Sequence, residues 1–113
     1  MKERILQINQ LIKRELSQII LREIEFPLDV LATITRVETT RKIDEAKVYV
    51  SCLPESKAKL ILNILNRCIY RLQQLLNKRL RMRPIPRIVF IEEKETIKAG
   101  RIEEILEKIK IEK

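Results

Sequence analysis

Histidine and tryptophan are absent from this 113-residue chain, glycine occurs once and cysteine twice. Without histidine, the usual neutral-pH general base and the commonest metal ligand are both missing. A single glycine, Gly100, cannot build a Walker loop, a GxGxxG turn or a GxxG clamp on a nucleic-acid backbone. Cys52 and Cys68 form no CxxC pair, and no secretory leader precedes them, which points to buried thiols in a reducing cytoplasm. No apolar run approaches the roughly 18 residues needed to cross a bilayer. The acidic run Glu92, Glu93 and Glu95 reads as a solvated turn, and the threonines 33, 35, 39 and 40 have no titratable base beside them. The expectation is a protein without catalytic residues, metal, cofactor, small-molecule substrate or membrane partner.

Hydrophobic residues make up 45% of the chain and charged ones 35%, a folding composition rather than a disordered one. With no repeat and no Gly/Ser/Pro linker, residues 1–113 read as one domain. Ile5, Ile8, Ile12, Leu16 and Ile19 recur at helical spacing, which predicts an amphipathic helix over 3–24 that Phe26-Pro27 stops. LATITRVET (31–39) and EAKVYVSCL (45–53) are dense in β-branched residues. Five residues, Thr40 to Asp44, join them in a hairpin with a basic tip. From 55 to 81, Ile61, Leu65, Cys68, Leu72 and Leu76 form an apolar stripe, ended by Pro84 and Pro86. IVFI (88–91) is a third strand, and Ile102, Ile105, Leu106 and Ile109 mark a closing helix over 96–111. The order α-β-β-α-β-α describes an α+β sandwich with helices on one face of a three-stranded sheet. Straight, the middle helix would span ~40 Å. That exceeds the ~34 Å diameter of a globule this size, so a break is expected, although no Gly or Pro marks it.

The chain carries a net charge of +8, and all of that surplus lies between residues 54 and 87, which hold nine bases and one acid, Glu55. On a helical wheel Arg67, Arg71, Lys78 and Arg81 share an arc of about 80° opposite the apolar stripe, with Asn63 and Gln74 inside it. A merely solvated helix face mixes signs; this one does not, which suits contacts along an RNA backbone. Arg79, Arg83 and Arg87 mark the turning end of the helix, and Arg41 and Lys42 at the hairpin tip are further candidate contacts.

The stretch LATITRV with Thr40, Ile43, Ala46 and VYVS (48–51) resembles the central signature of the ribosome-binding factor A family. The segments from Arg14 to Pro27, from Leu75 to Phe90 and around RIEEIL (101–106) are similar to it as well. That resemblance implies a type II KH-like fold lacking GxxG, with a kinked middle helix. It implies a cytoplasmic factor that binds the free small (30S) ribosomal subunit and assists late maturation and 5′-end processing of 16S rRNA, above all in the cold. The family breaks its middle helix at Ala-x-Gly, where this chain has Cys68-Ile69-Tyr70. Tyrosine in place of glycine removes backbone freedom, so the kink position stays open, and Tyr70 is left to stack on a base or to pack. The expectation is a monomeric, non-catalytic assembly factor with 16S rRNA as partner. Its alternatives are a protein-interaction module and a generic basic nucleic-acid-binding domain.

Overall fold

A computed structural model describes residues 2–94 of the chain. The helix expected over 96–111 lies outside the described residues. Helix α1 (Lys2–Glu23) leads into an antiparallel hairpin of β1 (Leu31–Thr39) and β2 (Glu45–Leu53). A single 3-10 turn (Glu55–Lys57), α2 (Ala58–Arg67) and α3 (Ile69–Arg79) then carry the chain back to β3 (Arg87–Glu92). The two helices form the crossover that β3 needs in order to run parallel to β2, and the strand order is β1-β2-β3.

One face of this sheet is covered. Ala46, Val48, Val50 and Cys52 alternate inward along β2, with Ile88 and Phe90 beside them on β3. Along β1 the inward residues Ile34 and Val37 are three apart rather than two. A bulge at Thr35 explains this, because Ile34 pairs with Val50 and Arg36 already with Tyr49. The bulge turns Arg36 and Glu38 to the opposite face, over which none of the described helices lies. Over the inner face lie Ile8, Ile12, Leu16, Ile19 and Ile20 of α1, Ala58, Ile61 and Leu65 of α2, and Leu72 and Leu76 of α3. These include the apolar positions expected from the sequence, apart from Ile5 and Cys68, which are half-buried, and add Ile20 and Ala58.

The middle helix is broken, and the break falls at Cys68. Its backbone (φ −102°, ψ 6°) leaves the helical region, and its N–H donates to the Leu65 carbonyl at 3.1 Å, three residues back rather than four. Cys68 is therefore half-buried at the joint rather than within the core. The second half is shorter than the sequence suggested. Leu80 takes an extended conformation (φ −90°, ψ 135°), so α3 ends at Arg79 and Arg81 stands outside any helix. Its place on the helical wheel fails for that reason.

Glu93 also departs from expectation. Its side chain is buried, 2.8 Å from Arg36 Nε, and accepts a 3.0 Å hydrogen bond from the Thr35 hydroxyl. The Arg36 guanidinium lies 3.8 Å from the centre of the Tyr49 ring, and Tyr49 donates to Glu38. Burial foremost, and Glu38 after it, push the Tyr49 hydroxyl pKa up. Cys52, buried at the strand end, has its thiol pKa raised by the same loss of solvent, so it stays protonated and unreactive.

Truncating the stripe on either side of the break is expected to cost comparable stability. Ile61→Ala and Leu72→Ala each remove a fully buried side chain, and each is expected to lower unfolding free energy by ~2–5 kcal/mol. Denaturant titration of the two variants checks this. A loss under about 1 kcal/mol for Leu72→Ala would mean that α3 is not anchored by its apolar side.

Candidate nucleic-acid interface

The cations expected to face outward fall into groups that the fold treats differently. Arg71 and Arg79 of α3 reach back to α1. Arg71 Nη2 lies 2.7 Å from Glu23 Oε1, and Arg79 Nη1 lies 3.1 Å from Glu15 Oε1 and from Gln18 Oε1. The spacing of eight residues is the same on both helices and runs in opposite senses. These are two rungs of one antiparallel helix pair, ~12 Å apart along the axis. Glu15, placed between Arg79 and Arg14, has its carboxyl pKa held below the usual value, chiefly by the hydrogen bond from Arg79. Arg79 is thus a tether between helices and not an outward contact. Arg71 is tied at one end but keeps an exposed guanidinium, with donors to spare.

Arg67, at the last residue of α2, and Lys78, on α3, are exposed and make no ion pair among the described residues. Arg81 and Arg83, in the link from α3 to β3, are likewise exposed without a carboxylate partner among the described residues. Arg83 donates to the Met82 carbonyl at 2.9 Å. Gln74 lies between Arg71 and Lys78 on the outward side of α3 and donates to the Tyr70 hydroxyl at 2.9 Å. The other amide of that pair, Gln73, is turned inward. Its Oε1 accepts from the Ile88 N–H at 2.8 Å and its Nε2 donates to the Pro86 carbonyl at 3.2 Å, tying α3 to the start of β3. Gln73 had no signal in the sequence, because its partners are backbone groups.

A second basic group forms at the hairpin end of the sheet. Arg87 begins β3, where its N–H donates to the Asp44 carbonyl (3.0 Å) and its guanidinium pairs with Glu45 at 3.2 Å. Arg41 and Lys42 are exposed in the adjoining turn. That turn is built on Thr40, whose hydroxyl accepts from the Asp44 and Glu45 N–H groups and lies against the Asp44 carboxylate. Asp44 is held below its ordinary pKa, first by this hydroxyl. Ile43 sits at φ 57°, a conformation unusual for a β-branched residue, and its N–H donates to the Thr40 carbonyl at 2.9 Å. The loop that displays Arg41 and Lys42 is therefore a specified turn.

At the opposite end of the sheet, Ile20 and Leu21 of α1, Ile24 and Val30 of the link that follows it, and Leu31 and Ala32 of β1 help line an apolar cavity of about 220 Å³. Among the described residues no group of three or more carboxylates and thiols could hold a metal ion. No described helix is long and apolar enough to cross a membrane.

The cationic face presents guanidinium, ammonium and amide donors, the groups that meet phosphates by charge and hydrogen bonding. A family model described as ribosome-binding factor A matches residues 4–106. The Pseudomonas aeruginosa (strain UCBPP-PA14) ribosome-binding factor A is 39% identical over 87 residues, which cover 74% of this chain and 67% of that protein. The crystal structure of ribosome-binding factor A from Thermus thermophilus superposes with a TM-score of 0.67 at 29% identity, covering 76% of this chain and 92% of that one. A Thermus thermophilus homology model of the factor, fitted into an electron-cryomicroscopy map of a 30S complex, gives a TM-score of 0.64 at 29% identity over 75% and 90%.

The depressed Glu15 carboxyl gives this helix pair a pH signature. A group whose pKa is lower when folded contributes stability above its unfolded pKa and loses it as pH falls through the folded one. Stability is therefore expected to drop as pH falls below the ordinary glutamate value, and Glu15→Gln is expected to flatten that limb. Thermal melts of both proteins from neutral pH to pH 3 check this; parallel curves would remove the rung from the folding balance.

Proposed function

The chain belongs to the ribosome-binding factor A family, and we propose that it is a non-catalytic assembly factor that grips the RNA of the free small (30S) ribosomal subunit. The grip is made by Arg67, Arg71, Gln74 and Lys78 on the helical side and continues through Arg81 and Arg83. Arg41, Lys42 and Arg87 at the hairpin end extend it. It works in the cytoplasm as a single-domain monomer and assists late maturation of 16S rRNA, including processing at its 5′ end, with its largest effect in the cold.

The observation that supports this most is the exposure of Arg67, Lys78 and Arg81 without a carboxylate in reach among the described residues. Cations left unpaired on a folded surface keep their full field for a partner, whereas paired ones have spent much of it. The Thermus thermophilus relative fitted into a 30S complex supports the choice of partner. Such a factor acts by mass action. It favours whichever rRNA conformation it binds better, and that difference bounds how far it can shift assembly.

Replacing Arg67, Lys78 and Arg81 together by glutamate is expected to abolish co-sedimentation with free small subunits while leaving the melting temperature within a few degrees. With the native chain, affinity should fall steeply with salt. Losing three phosphate contacts lowers the slope of log K against log salt by ~2–3. Unchanged co-sedimentation of the variant would remove the proposed grip. Equal competition by duplex DNA would leave a generic nucleic-acid binder instead.

A further inference from the structure

Of the chain's four aromatic side chains, Phe90 is buried, Phe26 and Tyr49 are half-buried, and Tyr70 alone is exposed. Tyr70 shows 74% of its surface and stands two residues past the break, on the first turn of α3. It therefore does not pack into the core. Its ring is still not left to swing, because Gln74, one turn further on, donates to its hydroxyl at 2.9 Å and holds it along the outward side of the helix. Arg67 precedes it across the joint and Arg71 follows it. Arg67 is unpaired among the described residues, and Arg71 is fixed in place by Glu23.

Phosphates and sugars along a duplex are met by cations, amides and hydroxyls, none of which uses the flat face of a ring. An exposed ring fixed at its hydroxyl, with an arginine three residues before it and another directly after it, offers what a splayed-out base requires: a π surface to stack on, with cations near for its flanking phosphates. We propose that Tyr70 is a stacking platform for one unpaired nucleobase, with Arg67 and Arg71 holding the phosphates on either side. This rests on the RNA-binding reading above and sharpens it, because the ligand then includes a single-stranded element. The helix break has a part in this site. It falls at Cys68, between Arg67, the last residue of α2, and Tyr70 in the first turn of α3.

The chain has no tryptophan, so Tyr70→Trp creates a single reporter at the site. Its fluorescence is expected to be quenched saturably by an unstructured oligoribonucleotide and by free small subunits, and not by an RNA duplex of equal length. Tyr70→Leu keeps bulk but removes the π face, and it should weaken binding to free small subunits about 5- to 150-fold. Tyr70→Phe should bind within about twofold of the native chain, and both variants should melt as it does. Equal binding by Tyr70→Leu and Tyr70→Phe would overturn the proposal, as would equal quenching by single strand and duplex. Loss of subunit binding by Tyr70→Leu without quenching by any naked RNA would mean that the ring meets a ribosomal protein, which also overturns it. The charge-reversed triple variant separates the two readings. If it still binds subunits, the RNA-binding reading fails; if it does not while Tyr70→Leu binds normally, only the stacking site fails.

Discussion

Burial of one apolar stripe, carried by two helices on either side of a break, governs what this molecule shows to its surroundings. Ile61 and Leu65 before Cys68, and Leu72 and Leu76 after it, are all removed from water against the sheet and α1. Once those four positions are committed, the rotation of α3 is fixed. Arg71, Gln74 and Lys78 must then face out, while Leu75 and Arg79 turn toward α1. The arginine–glutamate rungs at Glu15 and Glu23 set the sliding register of the same helix pair. Packing supplies the energy and charge supplies the alignment, in keeping with the small worth of half-exposed ion pairs compared with fully buried aliphatic side chains.

This division explains why a strongly basic segment does not act as one uniform patch. Of its nine cations, Arg71, Arg79 and Arg87 pair with carboxylates on α1 and β2. Lys57, Lys59, Arg67, Lys78, Arg81 and Arg83 are left with their charge uncompensated by any such pair among the described residues. Fold and binding surface draw on the same short stretch of sequence. A charge-reversal study that ignored the division would therefore confuse a shifted alignment of α1 and α3 with loss of contact.

Features set by local pattern were legible in the sequence. The hairpin, the inward face of β2, the apolar side of α1 and the return of the chain to a third strand after a long crossover all follow from periodicities of 2 and 3.6. The break itself followed from length, and its place agreed with the family's Ala-x-Gly element even though Tyr70 stands where glycine is usual. What could not be read were features that depend on distant partners. Glu93 looked like part of a solvated run because Arg36, 57 residues earlier, reaches it only after a bulge reverses the strand's facing. Arg79 looked like a fraying end because Glu15 is 64 residues away. The end of α3 was misplaced because Leu80 continues the apolar pattern beyond the helix and is buried in an extended conformation.

The most direct test of the central claim, that packing holds one cationic face outward for RNA, is lysine footprinting of the native protein with and without free small subunits. Lys78 on the outer side of α3 and Lys47 on the side of the sheet away from the described helices are both exposed among the described residues, and both should react in the free chain. On the subunit, Lys78 is expected to become protected while Lys47 stays reactive. Lys78 reacting as fast when bound as when free, or protection of Lys47 in its place, would contradict it.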